Sequence, residues 1–127
     1  MNTKIRRLTL CIGLFILTSW NLSAAGHIDT VSSGQSITKT YTFNNITTPV
    51  IATAYIQASG DGAIGTILLV GSGIGTVINI TASSSGSWFA EDAVSNLMLP
   101  DGSCSFIHIG SCGADPAYVY LKSTISW

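Results

Sequence analysis

The chain has 127 residues, 46% of them apolar, with only 5 basic and 6 acidic residues. A sequence so apolar and so sparsely charged is neither a disordered polyelectrolyte nor a basic nucleic-acid binder, and its length suits one domain. Three of the five cations, Lys4, Arg6 and Arg7, precede an uncharged run from Leu8 to Ala25 that ends in the small residues Ser23-Ala24-Ala25. That order predicts a secretory signal peptide over 1–25 and a single mature domain over 26–127 in a secreted, periplasmic or extracellular setting. After Ala25 only Lys39 and Lys122 stand against six acids, which gives a formal charge of −4. No cationic track remains for nucleic acid or for an anionic membrane surface.

The mature chain is rich in Ser, Thr and Gly, a usage that suits strands and tight turns. Ile37, Lys39, Tyr41 and Phe43 alternate with Thr38, Thr40 and Thr42, the signature of a strand with an apolar side and a hydroxyl side. Pro49 can open the next strand, Val50 to Ala58, which Ser59-Gly60-Asp61-Gly62 ends. Ile64 to Val70 and Thr76 to Ala82, joined by a glycine turn, read as a hairpin. No charge occurs between Gly62 and Ala90, but the glycines, threonines and Asn79 argue for a core hairpin over a membrane span.

Ala90, Ala93, Val94, Leu97 and Met98 recur at the spacing of one helical face, so a short helix is expected near residues 88–98, with Ser87 as its cap. Cys11 belongs to the signal, which leaves Cys104 and Cys112 as a pair in an oxidising compartment; a disulfide closing a reversed loop is expected. Ala117, Val119, Leu121, Ile125 and Trp127 share one face of a last strand, opposite Tyr118 and Tyr120. The expected class is all-β, an antiparallel sandwich of six to eight strands with one short helix.

Gly60-Asp61-Gly62-Ala63-Ile64-Gly65 mimics a dinucleotide fingerprint, yet the residues after it continue as strand and open no helix that could hold a pyrophosphate. No serine sits in a glycine elbow, neither histidine has an evident partner, and no cofactor is expected. Asp61 and the stretch from Asp92 to Asp101 are the only candidate pieces of a Ca²⁺ site. Aromatic rings remain as binding groups, because a ring can stack on the C–H side of a sugar while nearby acids accept its hydroxyls. On that chemistry the candidate ligand-binding residues are Trp88, Glu91, Asp92, Tyr118 and His108.

Gly26-His27-Ile28-Asp29, Thr42-Phe43 ahead of Pro49-Val50-Ile51, the hairpin Ile64 to Ala82 and the closing Ile125-Ser126-Trp127 together resemble the H-type lectin domain and the related β-sandwich tips of phage tail fibres. The resemblance implies a six-stranded sandwich that trimerises, with sugar pockets between protomers. It carries the family's tryptophan onto Trp88, with Glu91 and Asp92 beside it. No arginine follows the signal, and about 25 residues including both cysteines stand before the last strand where the family has none. The sequence therefore leads to a secreted, non-catalytic, homo-oligomeric module that recognises a glycan or another surface receptor. Two other readings are a structural or assembly subunit of a fibre or pilus, and a membrane-inserting toxin whose glycine-rich hairpin enters a bilayer.

Overall fold

The computed structural model describes residues 23–47, 49–97, 99 and 102–127. The expected signal peptide lies outside the described residues except for its last three positions, of which Ala24 and Ala25 open the first strand. Eight strands follow one another: β1 Ala24–Ser32, β2 Ser36–Ile46, β3 Val50–Gly60, β4 Ala63–Gly71, β5 Gly75–Ser84, β6 Phe89–Leu97, β7 Gly102–Ser111 and β8 Ala117–Ser126. They form two four-stranded antiparallel sheets, one in the order β1-β8-β3-β6 and the other in the order β2-β7-β4-β5. Except for the β4–β5 hairpin, every connection passes from one sheet to the other, which is the winding of a jelly roll.

Alternation dictates the layering, since successive side chains on a strand point to opposite faces. Along β3, Ala52, Ala54, Ile56 and Ala58 are buried while Ile51, Thr53, Tyr55 and Gln57 face out. On β8, Val119, Leu121, Ser123 and Ile125 are buried against the other sheet, and Tyr118, Tyr120 and Lys122 point away. The uncharged hairpin β4–β5 contributes Ile67, Leu69, Ile78 and Ile80 to this core, as its sequence suggested. Phe106 on β7 is fully buried near the middle, in edge contact with Phe43. Where the sheets come closest there is no room for a side chain: a Cβ on Gly110 would stand 2.7 Å from Val31 Cγ2. Gly60 closes the β3–β4 turn at φ 87°, and a Cβ there would stand 1.8 Å from the Pro116 carbonyl oxygen.

Two expectations are corrected. The segment expected as a helix near 88–98 is the edge strand β6, paired along its whole length with β3, and no helix occurs among the described residues. The helical spacing of its small apolar residues is outweighed by the ladder that β3 offers, and the inward positions are Ala93 and Leu97, two steps of the period-two pattern apart. Cys104 and Cys112 are free thiols. The chain between them is not a reversed loop but β7, hydrogen-bonded to β2 on one side and β4 on the other. Eight residues of strand hold the two cysteines about 26 Å apart, far beyond the span of a disulfide. Both thiols point inward in register with Phe106, His108 and Gly110, so the cysteines serve as small core side chains.

Candidate functional site

The outer face of the β1-β8-β3-β6 sheet carries three half-exposed tyrosines among polar side chains. Register aligns them in cross-strand rows: Tyr118 with Ser32 and Ser59, Tyr120 with Thr30, Gln57 and Ala90, and Lys122 with Ile28, Tyr55 and Asp92. Rows on one face are about 6.6 Å apart and strands about 4.8 Å apart, so the three tyrosines lie within one small area. Tyr55 and Tyr120 meet edge to face, with centroids 6.2 Å apart and planes at 68°. That contact holds both phenols upright while leaving them half exposed.

Trp88 extends the face at one end. It precedes β6 and is 68% exposed, beside a hollow of about 340 Å³ lined by Ser59, Gly60, Gly86, Trp88, Asp115, Pro116, Ala117 and Tyr118. At the far end an apolar hollow of about 440 Å³ lies over β8, between Ala24–Gly26 and Ile51. The Trp88 hollow is the one with chemistry for recognition, since it combines two aromatic rings with a carboxylate and a hydroxyl.

The structure sorts the expected residues clearly. Trp88 and Tyr118 share the hollow, and Asp92 lies on the same outer face. Glu91, one residue from Asp92, points to the opposite side of β6, in register with the buried Ile56, and does not join them. Trp88 stands just ahead of β6, the third strand from the end. His108 is fully buried on β7, so the expectation that it meets a ligand from a loop is corrected. Tyr120, an aromatic near a strand end that sequence reasoning read as closing the core, is half exposed on this face. Tyr55, Gln57 and Lys122 were not singled out, although the alternation of Tyr55 and Gln57 with Ala54, Ile56 and Ala58 marks them as outward.

His108 has partners that the sequence concealed. Its Nδ1 lies 2.9 Å from Asp29 Oδ2 and its Nε2 lies 2.7 Å from Ser123 Oγ. Lys39 Nζ donates to Asp29 Oδ1 at 2.9 Å, and the Tyr41 hydroxyl donates to Asp29 Oδ2 at 2.6 Å. His27 stacks on Tyr41 with centroids 3.8 Å apart. Serine, histidine and carboxylate thus stand in the sequence of contacts that activates a nucleophile, but Ser123 is 1% exposed and sealed between the sheets. A substrate cannot reach it, and the cluster acts as a satisfied polar insert in the core. No buried side-chain nitrogen or oxygen among the described residues lacks a hydrogen-bond partner.

Burial depresses the His108 pKa, against the opposing pull of Asp29, so the ring is neutral in the fold. Burial alone would raise the Asp29 carboxyl, but hydrogen bonds from Tyr41, Lys39 and His108 outweigh it and hold the group below its ordinary value. Burial and the Asp29 carboxylate push the Tyr41 phenol up to about 12. Among the described residues no three His, Cys, Asp or Glu side chains come together as a metal site; Asp61 caps the β3–β4 turn by itself, and Asp101 lies outside the described residues. No helix of the described residues is long and apolar enough to cross a membrane.

No protein-family model matches the sequence, and no curated protein matches it. Solved structures do match the fold. A carbohydrate-binding module, TmCBM61, solved in complex with β-1,4-galactotriose, is 8% identical, with 82% of this chain covering 86% of that one at a TM-score of 0.52. The enzymatically active domain of tailspike protein 4 of bacteriophage CBA120 is 10% identical over 82% of this chain and 19% of its own, with a TM-score of 0.43. The structure of infectious bursal disease virus Gt strain is 13% identical over 84% of this chain and 30% of its own, with a TM-score of 0.38. The chain thus spans under a third of the latter two proteins. At such identities the likeness extends to the β-sandwich alone, and carbohydrate-binding modules share that sandwich.

Proposed function

We propose that the protein is an exported, non-catalytic carbohydrate-binding module that holds a glycan against the outer face of the β1-β8-β3-β6 sheet. One observation carries this reading: Tyr55, Tyr118 and Tyr120 stand on that face with Trp88 at its end, interleaved with Gln57, Lys122 and Asp92. Aromatic rings receive the C–H faces of sugar rings, and the amide, ammonium and carboxylate exchange hydrogen bonds with the hydroxyls. A hydrogen-bonded sheet fixes these groups before the ligand arrives, which reduces the entropy lost on binding. The sandwich likeness to a module solved with a galactotriose supports the fold side of the argument.

A glycan array probed with the wild type and with Trp88→Ala and Tyr120→Ala tests the proposal, run with added Ca²⁺ and again with a chelator. The expected result is binding to a restricted set of glycans that both substitutions weaken. Silence across the array from correctly folded protein would refute the reading. Loss of binding with the chelator would place a cation in the site.

A further inference from the structure

The outer face of the β2-β7-β4-β5 sheet is chemically unlike the tyrosine face. Its two inner strands carry the aliphatic side chains, Ile107 of β7 paired with Leu68 of β4, Ile109 with Thr66 and Ile64 with Ser111, and its outer strands are hydroxyl-bearing, from Thr40 on β2 to Thr81 on β5. Every outward position on these four strands is uncharged. Ile64 is 44% exposed and Ile109 37%, so water meets β-branched side chains on this face. We infer that this face packs against the same face of a second copy of the chain, sheet on sheet, in an isologous dimer.

Three arguments select a second copy as the occupant. First, in a two-fold contact a charge near the axis meets its like and a charge away from it needs an opposite charge elsewhere on the same face; this face carries neither sign, whereas the tyrosine face carries Lys122 and Asp92. A strongly charged partner would have its ions desolvated against a surface that offers no counter-charge. Second, a threonine or serine hydroxyl both donates and accepts, so identical hydroxyl margins can satisfy one another without complementary chemistry from a different protein. Third, the area suffices. Four strands about 4.8 Å apart and about 30 Å long give roughly 600 Å² per copy, or roughly 1,200 Å² in all, the lower bound of a stable interface. Sheets face each other at about 10 Å when their side chains interdigitate, and the aliphatic inner strands supply the side chains to do so.

Sedimentation velocity on protein expressed from the full 127-residue sequence tests the inference. The wild type is expected at twice the mass of one chain at tens of micromolar, as an interface of about this area supports. Ile109→Lys buries a cation in a contact that offers no counter-charge, and it is expected to raise the dissociation constant by at least about tenfold. Thr40→Lys makes the same test from an exposed margin whose substitution leaves the core untouched, should Ile109→Lys disturb folding. Val94→Lys, at a 73% exposed position on the opposite sheet, is expected to leave the dimer intact. A wild type of single mass at about 100 μM, a dimer that survives both charged substitutions, or an open-ended polymer would each overturn the inference.

Discussion

Tyr120 stands one strand away from Gln57 and in edge contact with Tyr55, so the ring with the most polar company is also the one locked in place by an aromatic neighbour. Removing it should cost more than removing Trp88, which is more exposed and less supported. We expect Tyr120→Ala to weaken glycan binding by about tenfold or more and Trp88→Ala by a few-fold, as measured by calorimetry on a ligand found by array. Thr66→Ala, on the other sheet, should leave glycan binding unchanged.

The interior cluster predicts how stability responds to acid. A His108 pKa depressed by burial means that the unfolded chain takes up a proton below its ordinary 6.5 while the fold refuses it, so stability falls as pH drops through that value. Asp29, held below its ordinary 3.8, contributes stability that is present above 3.8 and lost as pH falls further. Urea midpoints measured across the acid range should therefore decline in two stages. A midpoint unchanged between about pH 7.5 and pH 5 would contradict the buried neutral histidine.

Alkaline titration should single out Tyr41. Its phenol ionises near 12 in the fold against 10.0 in a free chain, so the fold keeps its full Tyr41 contribution below 10.0 and loses it as pH rises toward 12. The tyrosinate absorbance should contain a late phase near 12 that Tyr41→Phe abolishes.

Both cysteines should resist chemistry in the native state. Burial raises each thiol's pKa, which suppresses the reactive thiolate. A thiol reagent is expected to leave Cys104 and Cys112 unmodified until denaturant is added, and then to modify both. A native mass two hydrogens lighter than the reduced chain would signal a bridge and contradict the extended β7.

Glycine substitutions separate strain from collision. Gly34 at φ 74° has open space around it, so Gly34→Ala should destabilise by about 1 kcal/mol. Gly60→Ala adds the clash with the Pro116 carbonyl and should cost about 3 kcal/mol or more, read from chemical denaturation of the pair.

The strands with clean alternation, β2, β3, the β4–β5 hairpin and β8, were legible because each has one face in the core and one outside. β7 was not, although Cys104, Phe106, His108, Gly110 and Cys112 also alternate inward. Reading the cysteines as a bridge demanded a chain reversal and overrode that pattern. β6 misled because Ala90, Ala93 and Val94 are small enough to fit either period, and only pairing with β3 decides between them. Looking for aromatic residues near acids and strand ends found Trp88, Asp92 and Tyr118, and brought up Tyr120 only as a core residue. Tyr55, Gln57 and Lys122 join them only through sheet order, since β8 and β3 become neighbours across more than sixty residues of chain. The His108 partners were hidden for the same reason: Asp29 is 79 positions away.

The pairing of Ala24 with Ser126 makes β1 wait for β8 before it has a neighbour. Only the β4–β5 hairpin can form from adjacent chain, so folding must begin there and proceed by long loop closures, in milliseconds to seconds. Until β8 has been made, the edge of the sheet on which β1 pairs does not exist.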